Sequence, residues 1–217
     1  MKVGTDGCLL GAWADLSDSR NILDIGCGSG LIALMAAQRC PDATITGIEI
    51  DTDAALQATE NATSSPWTDR VKIINNDFLT YLPEGKYDTI LSNPPYFTNS
   101  LKCPDDKRSK ARHDDTLTSI SLLQHAYEML SENGKLSIVI PTDQQGVWQE
   151  QAESIGYTTK RVTYIHTRAN IAPKRVLMEF CKESGITTAI EDFTLEEAPG
   201  CFTEEATKLL KPFYLKL

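Results

Sequence analysis

Five short apolar runs, most of them followed by a segment of helical length, limit this chain to very few folds. They are residues 21–25, 44–49, 71–75, 87–91 and 135–140. Runs this short, bounded by turn residues, read as strands buried on both faces. Helices are expected from Leu31 to about Arg39, Thr52 to about Thr63, Ser119 to about Leu130 and Gln144 to Ile155, with Gly156 as a stop. A short helix near residues 8–13 is expected to be capped by Thr5 or Asp6. Strands that alternate with helices are joined by crossovers, which predicts a parallel sheet with helices on both faces. From Tyr157 the pattern changes. Residues 159–165 and 175–180 alternate roughly, with only a loop containing Pro173 between them. That reads as an antiparallel pair at the sheet edge. The expectation is therefore one α/β domain over residues 1–217, with a seven-stranded, mostly parallel sheet and an antiparallel strand at one edge. Its 217 residues, 41% hydrophobic and 24% charged, supply enough interior for that sheet.

The first strand runs into Gly26-Cys27-Gly28-Ser29-Gly30 and then directly into a helix. Glycines let the backbone curl and let a ligand approach with no Cβ in the way. The helix N-terminus offers unpaired N–H groups. Alone, such a turn is equally a tight strand-to-helix connection. The second strand strengthens the ligand reading, because it ends on Glu49, 21 residues after Gly28 (49 − 28). That is the spacing at which a carboxylate meets the two ribose hydroxyls of a nucleoside. Asp51 and Asp53 read instead as caps of the following helix. After the third strand, Asp77 could accept from the amino group of an adenine and Phe78 could pack on its ring. The alternative is a strand-end turn with a core phenylalanine.

The fourth strand stops at Ser92-Asn93-Pro94-Pro95-Tyr96-Phe97. Successive prolines have no N–H to donate, so the strand cannot continue. The result is an amide side chain, free carbonyls and an aromatic ring at the carboxyl end of a strand, where open α/β sheets bind ligands. Asn93 Oδ1 and the Pro94 carbonyl together suit a planar –NH2 group, which has two protons to give. Tyr96 offers a face on which a base could stack; the alternative is a strand-ending Pro-Pro turn with a core aromatic.

These residues together resemble the Rossmann-like methyltransferases: Asp24 to Gly30, Glu49, Asp77 and Asn93-Pro94-Pro95-Tyr96, in that order. The glycine spacing departs from that of nicotinamide enzymes, since position 31 is Leu, and S-adenosyl-L-methionine has no pyrophosphate to cradle. The Asn-Pro-Pro-Tyr form is similar to methyltransferases that act on exocyclic or amide amines. The opening, Met1 to Gly7 followed by Leu9-Leu10-Gly11-Ala12-Trp13, and the ending around Pro212-Phe213-Tyr214 resemble bacterial tRNA(Val) (adenine-N6)-methyltransferases, which modify the adenine beside the anticodon. Members of that family carry a further segment before this opening, so the chain is expected to begin late. The resemblance implies S-adenosyl-L-methionine as cofactor, held by Lys2, Thr5, Asp24, Gly26, Gly28, Gly30, Glu49, Asp77, Phe78 and Asn93. It implies catalysis by Asn93, Pro94 and Tyr96, and no metal. The three histidines, at 113, 125 and 166, read as structural or surface residues.

The net charge of −9 counts against a nucleic-acid partner taken alone. It does not exclude one, since a local basic run exists: Lys102, Lys107, Arg108, Lys110 and Arg112 follow the proline corner and, with Phe97, are the candidate RNA contacts, the alternative being a solvated loop that happens to be basic. The partner expected is the anticodon loop of a tRNA, met by a monomer. Guanine-N2 modification of rRNA, adenine-N6 modification of DNA, glutamine-N5 modification of a protein, and a non-catalytic S-adenosylmethionine- or RNA-binding role remain as alternatives. No apolar run approaches the ~18 residues that span a bilayer, and the opening has no signal-peptide core. Six scattered cysteines with no Cys-x-x-Cys pair fit a reducing cytoplasm rather than a structural zinc site.

Overall fold

The computed structural model describes residues 4–95 and 117–214. In chain order the elements are α1 (Thr5–Trp13), β1 (Asn21–Ile25), α2 (Leu31–Arg39), β2 (Thr44–Glu49), α3 (Thr52–Thr63), β3 (Val71–Asn75) and β4 (Tyr87–Ser92). There follow α4 (Ser119–Met129), β5 (Leu130–Pro141), α5 (Gln145–Ile155), β6 (Thr158–His166), β7 (Arg175–Cys181) and β8 (Ala189–Thr194). A small hairpin, β9 (Glu196–Ala198) with β10 (Cys201–Phe202), and α6 (Glu204–Leu210) close the described chain.

The main sheet runs β3-β2-β1-β4-β5-β7-β6-β8. The chain steps outward from β1 through β2 to β3, then returns to place β4 on the other side of β1, in parallel. The order therefore reverses between β1 and β4, which opens a crevice at the carboxyl ends of those strands.

Two expectations are corrected here. The sheet of described residues has eight strands, not seven, and its antiparallel strand is not at the edge. β7 lies antiparallel between β5 and β6, and the edge is β8, which pairs parallel with β6. β8 escaped the sequence reading because four of its six residues, Ala189 to Asp192, are exposed and show no apolar alternation. Charged side chains on an edge strand discourage pairing with another chain. The second correction concerns α1. Gly4 occupies its N-cap position with no side-chain cap, and Asp6 instead accepts from Arg175 Nε at 2.8 Å.

The strands divide their side chains between two cores. On one face, Ile22, Ile45, Leu91, Val139 and Leu177 pack under α1, α2 and α6. On the other, Leu23, Ile25, Ile90, Ile138, Met178 and Phe180 pack under α4 and α5. Each fully buried Leu, Ile or Phe contributes roughly 1.5–3 kcal/mol. Period-two alternation along β1 puts Asp24 on the first of these faces, between apolar neighbours and next to α2. Among the described residues no helix is long and apolar enough to cross a membrane.

Candidate active site

The site is assembled on three adjacent strand ends, those of β2, β1 and β4. At the end of β1 the turn curls through positive φ at Gly26 (+66°), Gly28 (+56°) and Gly30 (+82°). L side chains rarely adopt that region. The turn is pinned from below: Cys27 N donates to Ile48 O at 3.0 Å and Gly30 N to Cys27 O at 2.8 Å. A Cβ built on Gly26 meets nothing within 4 Å, so open space lies directly over that peptide.

Glu49 closes one side. It is 9% exposed, and both of its oxygens hold backbone. Gly28 N donates to Oε2 at 2.8 Å, and Asp51 N donates to Oε1 at 3.0 Å. A carboxylate offers about four acceptor sites, so capacity for hydroxyl donors remains. Its backbone is stapled by Asn75, whose Nδ2 donates to Glu49 O at 2.9 Å and to Ile50 O at 3.2 Å. Ile50 itself is 65% exposed at the end of β2. Neither Asn75 nor Ile50 was singled out from sequence. An apolar residue directly after a strand-end acid was the available signal.

Asp24 lies beneath the turn, fully buried. Ala33 N, in the first turn of α2, donates to its Oδ2 at 3.0 Å, while Oδ1 has no partner. Burial pushes its carboxyl up to about 7, opposed by the Ala33 N–H and reinforced by the nearby Glu49 charge. An unpaired buried carboxylate oxygen is costly. Paired with a second acid beside an open cradle, it fits a cationic or hydrogen-donating ligand. Burial likewise pushes the Cys27 thiol well up, so this cysteine stays protonated and inert.

On the third strand end, Ser92 is fully buried and its Oγ donates to Ile25 O at 3.0 Å, which locks β4 to β1 where both strands stop. Asn93 follows half-buried, Pro94 buried and Pro95 exposed. Thr5 stands exposed at the start of α1. Asp77 is half-buried, and its Oδ1 accepts from Leu79 N at 2.9 Å, capping the short helical turn Phe78–Thr80. The Phe78 ring belongs to the second core, 4% exposed and edge-on to His125 at 5.9 Å. Asp51 caps α3 by accepting from Ala54 N at 2.8 Å. Lys2, Tyr96, Phe97, Lys102, Lys107, Arg108, Lys110 and Arg112 lie outside the described residues.

A reversal of strand order, a glycine turn over a buried acid and a second acid at the next strand end define a class of nucleoside-binding α/β enzymes. Residues 7–160 match the methyltransferase small domain. A predicted O-methyltransferase from Agrobacterium tumefaciens shares the fold at a TM-score of 0.75, with 19% identity, 95% of this chain and 96% of that one covered. A ribosomal protein L11 methylase from Lactobacillus delbrueckii does so at 0.58, with 16% identity, 82% of this chain and 77% of that one covered. The chain is thus a Rossmann-like methyltransferase domain.

Whole-length relatives narrow this. A Bacteroides fragilis protein named tRNA1(Val) (adenine(37)-N6)-methyltransferase is 46% identical, over all of this chain and 92% of that protein. Proteins of the same name from Trichodesmium erythraeum and Photorhabdus laumondii are 43% and 39% identical, over 100% and 99% of this chain and 92% and 89% of theirs. The chain belongs to the tRNA1(Val) (adenine(37)-N6)-methyltransferase family.

Proposed function

We propose that this protein methylates the exocyclic N6 of the adenine beside the anticodon of a valine tRNA, acting as a cytoplasmic monomer. The observation that carries the reading is the meeting of the glycine turn, Glu49 and the Asn93-Pro94 corner on three neighbouring strand ends. S-adenosyl-L-methionine is the proposed cofactor and supplies an activated methyl group. The open space at Gly26, the remaining acceptor capacity of Glu49, the orphan Oδ1 of Asp24 and exposed Ile50 fit such a group. Gly28, Gly30 and Asn93 would complete its cradle, with Lys2, Thr5 and Asp77 around it. Phe78 would support the wall through the core.

The chain's own work is on the amine. An exocyclic nitrogen is a weak nucleophile because its lone pair is delocalised into the ring. Asn93 Oδ1 and the Pro94 carbonyl would accept hydrogen bonds from its two N–H groups, favouring a pyramidal nitrogen as positive charge develops, and one of the two protons is released to solvent once the N–C bond has formed. Tyr96 would hold the base in plane by stacking, and positioning would supply much of the rate. Pro94 and Ser92 fix the two acceptors: the proline by its restricted φ, the serine by tying the strand end to β1. Phe97, Lys102, Lys107, Arg108, Lys110 and Arg112 are proposed to hold the RNA, with the adenine splayed from its single-stranded loop.

The test is labelled-methyl transfer to total tRNA followed by nucleoside analysis. N6-methyladenosine confined to valine tRNA is expected. Methylguanosine, or transfer only to protein, would overturn the assignment. Asn93→Ala is expected to lower kcat by at least 100-fold, far more than it weakens cofactor binding. Equal loss of both would remove the role given to Asn93.

A further inference from the structure

We propose that the loop joining β6 to β7, residues 167–174, is a second tRNA contact, holding the phosphate backbone through Arg168 and Lys174. This rests on the function proposed above. Between Glu153 and Glu179 the chain has no carboxylate, yet it carries Lys160, Arg161, Arg168, Lys174 and Arg175, in a protein of net charge −9. Three of these five cations are engaged. Lys160 Nζ lies 3.4 Å from Glu179 and 3.9 Å from Asp15. The Arg161 guanidinium stacks over Trp13 at 3.7 Å and lies 3.6 Å from Glu179. Arg175 donates to Asp6. Arg168 and Lys174 are the remaining two. Both are exposed, and neither pairs with a carboxylate among the described residues.

The loop is pre-ordered. Ile171 N donates to Arg168 O at 2.9 Å, closing a turn. His166 braces that turn, with Nδ1 2.8 Å from Ile171 O and Nε2 2.8 Å from Asp192 Oδ1 on β8. At the other end Thr142 N donates to Lys174 O at 3.2 Å, tying the loop to the end of β5. A loop already held in place loses little conformational entropy when a ligand binds.

Its position is on the catalytic edge. Arg175 pairs with Pro141 at the carboxyl end of β5, and β5 lies beside β4, whose end carries Asn93. The β7 end of the loop stands two strand spacings, about 10 Å, across the sheet from the end of β4 and three residues further along the strand direction. Such a distance suits phosphates flanking a splayed nucleotide better than the target base itself. Charge also sets the direction. On the β8 side, Glu196 and Glu197 line a cleft of about 550 Å³ together with Arg168 and Asn170. Acids there repel a phosphate chain, so Lys174, next to β5 and the proline corner, carries the larger part of the contact and Arg168 the smaller.

The experiment compares wild type, Arg168→Ala/Lys174→Ala, Lys174→Arg and a charge-matched control, Arg20→Ala/Lys72→Ala. Arg20 precedes β1 and Lys72 lies near the start of β3, at the opposite edge of the sheet. The probe is valine tRNA transcript, titrated at several salt concentrations. For Arg168→Ala/Lys174→Ala the expected result is about tenfold weaker binding and a log–log salt slope shallower by about 1 for each side chain. The tRNA KM rises, while kcat and S-adenosylmethionine affinity hold. Lys174→Arg and the control behave as wild type. An unchanged salt slope and KM in Arg168→Ala/Lys174→Ala would overturn the loop assignment, and so would an equal loss in the control. If wild type methylates no tRNA adenine, the function proposed above fails instead.

Discussion

Asp24→Asn should change how the stability of the ligand-free protein depends on pH. Asp24 is fully buried, with one oxygen bonded to Ala33 N and the other bonded to nothing. Its carboxyl titrates near 7 in the folded chain against 3.8 for an exposed aspartate, burial being the main cause. Between those two values the folded state holds a proton that the unfolded state has released, so stability falls as pH rises from about 3.8 to about 7 and is level above. At about 1.4 kcal/mol per pH unit the full penalty is about 4 kcal/mol. The smaller part of it is already present at pH 5, which leaves roughly 2–3 kcal/mol to be lost between pH 5 and pH 8. For a chain of this length that is a fall in Tm of about 5–10 °C. Asparagine keeps the acceptor for Ala33 N and cannot ionise. The measurement is thermal or urea unfolding of both proteins at pH 5 and pH 8, read as a double difference. Contributions shared by the two proteins, such as the raised pKa of His166, cancel. Wild type is expected to lose roughly 2–3 kcal/mol more than Asp24→Asn over this interval. Parallel pH profiles would refute the claim that an unpaired carboxylate is buried beneath the turn.

Two further substitutions probe the cradle. Gly26→Ala places a β-carbon in the open space over the turn at φ +66°. The left-handed conformation costs roughly 1–2 kcal/mol, and cofactor affinity, read by calorimetry, should fall by more than that stability loss alone implies. Gly47→Ala acts from below. Its Cβ would stand 2.8 Å from Ile73 Cδ1, 3.0 Å from Cys27 Sγ and 3.2 Å from Cys27 Cβ. The isoleucine end can move, but Cys27 is fixed by its bond to Ile48 O. A loss of about 1–3 kcal/mol in urea unfolding is expected, with weaker cofactor binding. Unchanged binding would show that the turn tolerates displacement of Cys27.

The first three strands and the helices between them were legible residue by residue, because β1 and β2 are largely buried, β3 keeps an apolar run in Val71, Ile73 and Ile74 although it is an edge strand, and each connection carries its own punctuation. Gly156, at φ 115°, ends α5 where a glycine stop was expected. The nearness of Glu49 to the glycine turn was legible for a related reason: a glycine turn and a strand-end carboxylate at a set separation are local in sequence. β8 was not, since an exposed edge strand obtains its hydrogen bonds from a neighbour and needs no apolar pattern of its own. The place of β7, between β5 and β6, was equally hidden, because strand order depends on long-range pairing that no local periodicity encodes. The capping residue of α1 failed for the same reason, since Asp6 had an arginine from 169 residues away to bond instead.

Local chemistry in the chain thus determined which ends of which strands carry acceptors, glycines and acids. Only the tertiary structure decided that Glu49 holds the glycine turn through Gly28 N, that Asp24 keeps an unbonded oxygen beneath it, and that Arg168 and Lys174 reach the same edge without an ion pair among the described residues. The physical reason is range. A turn or a strand end is set by a few consecutive residues, whereas the partner of a buried charge is set by whichever segments the sheet brings alongside.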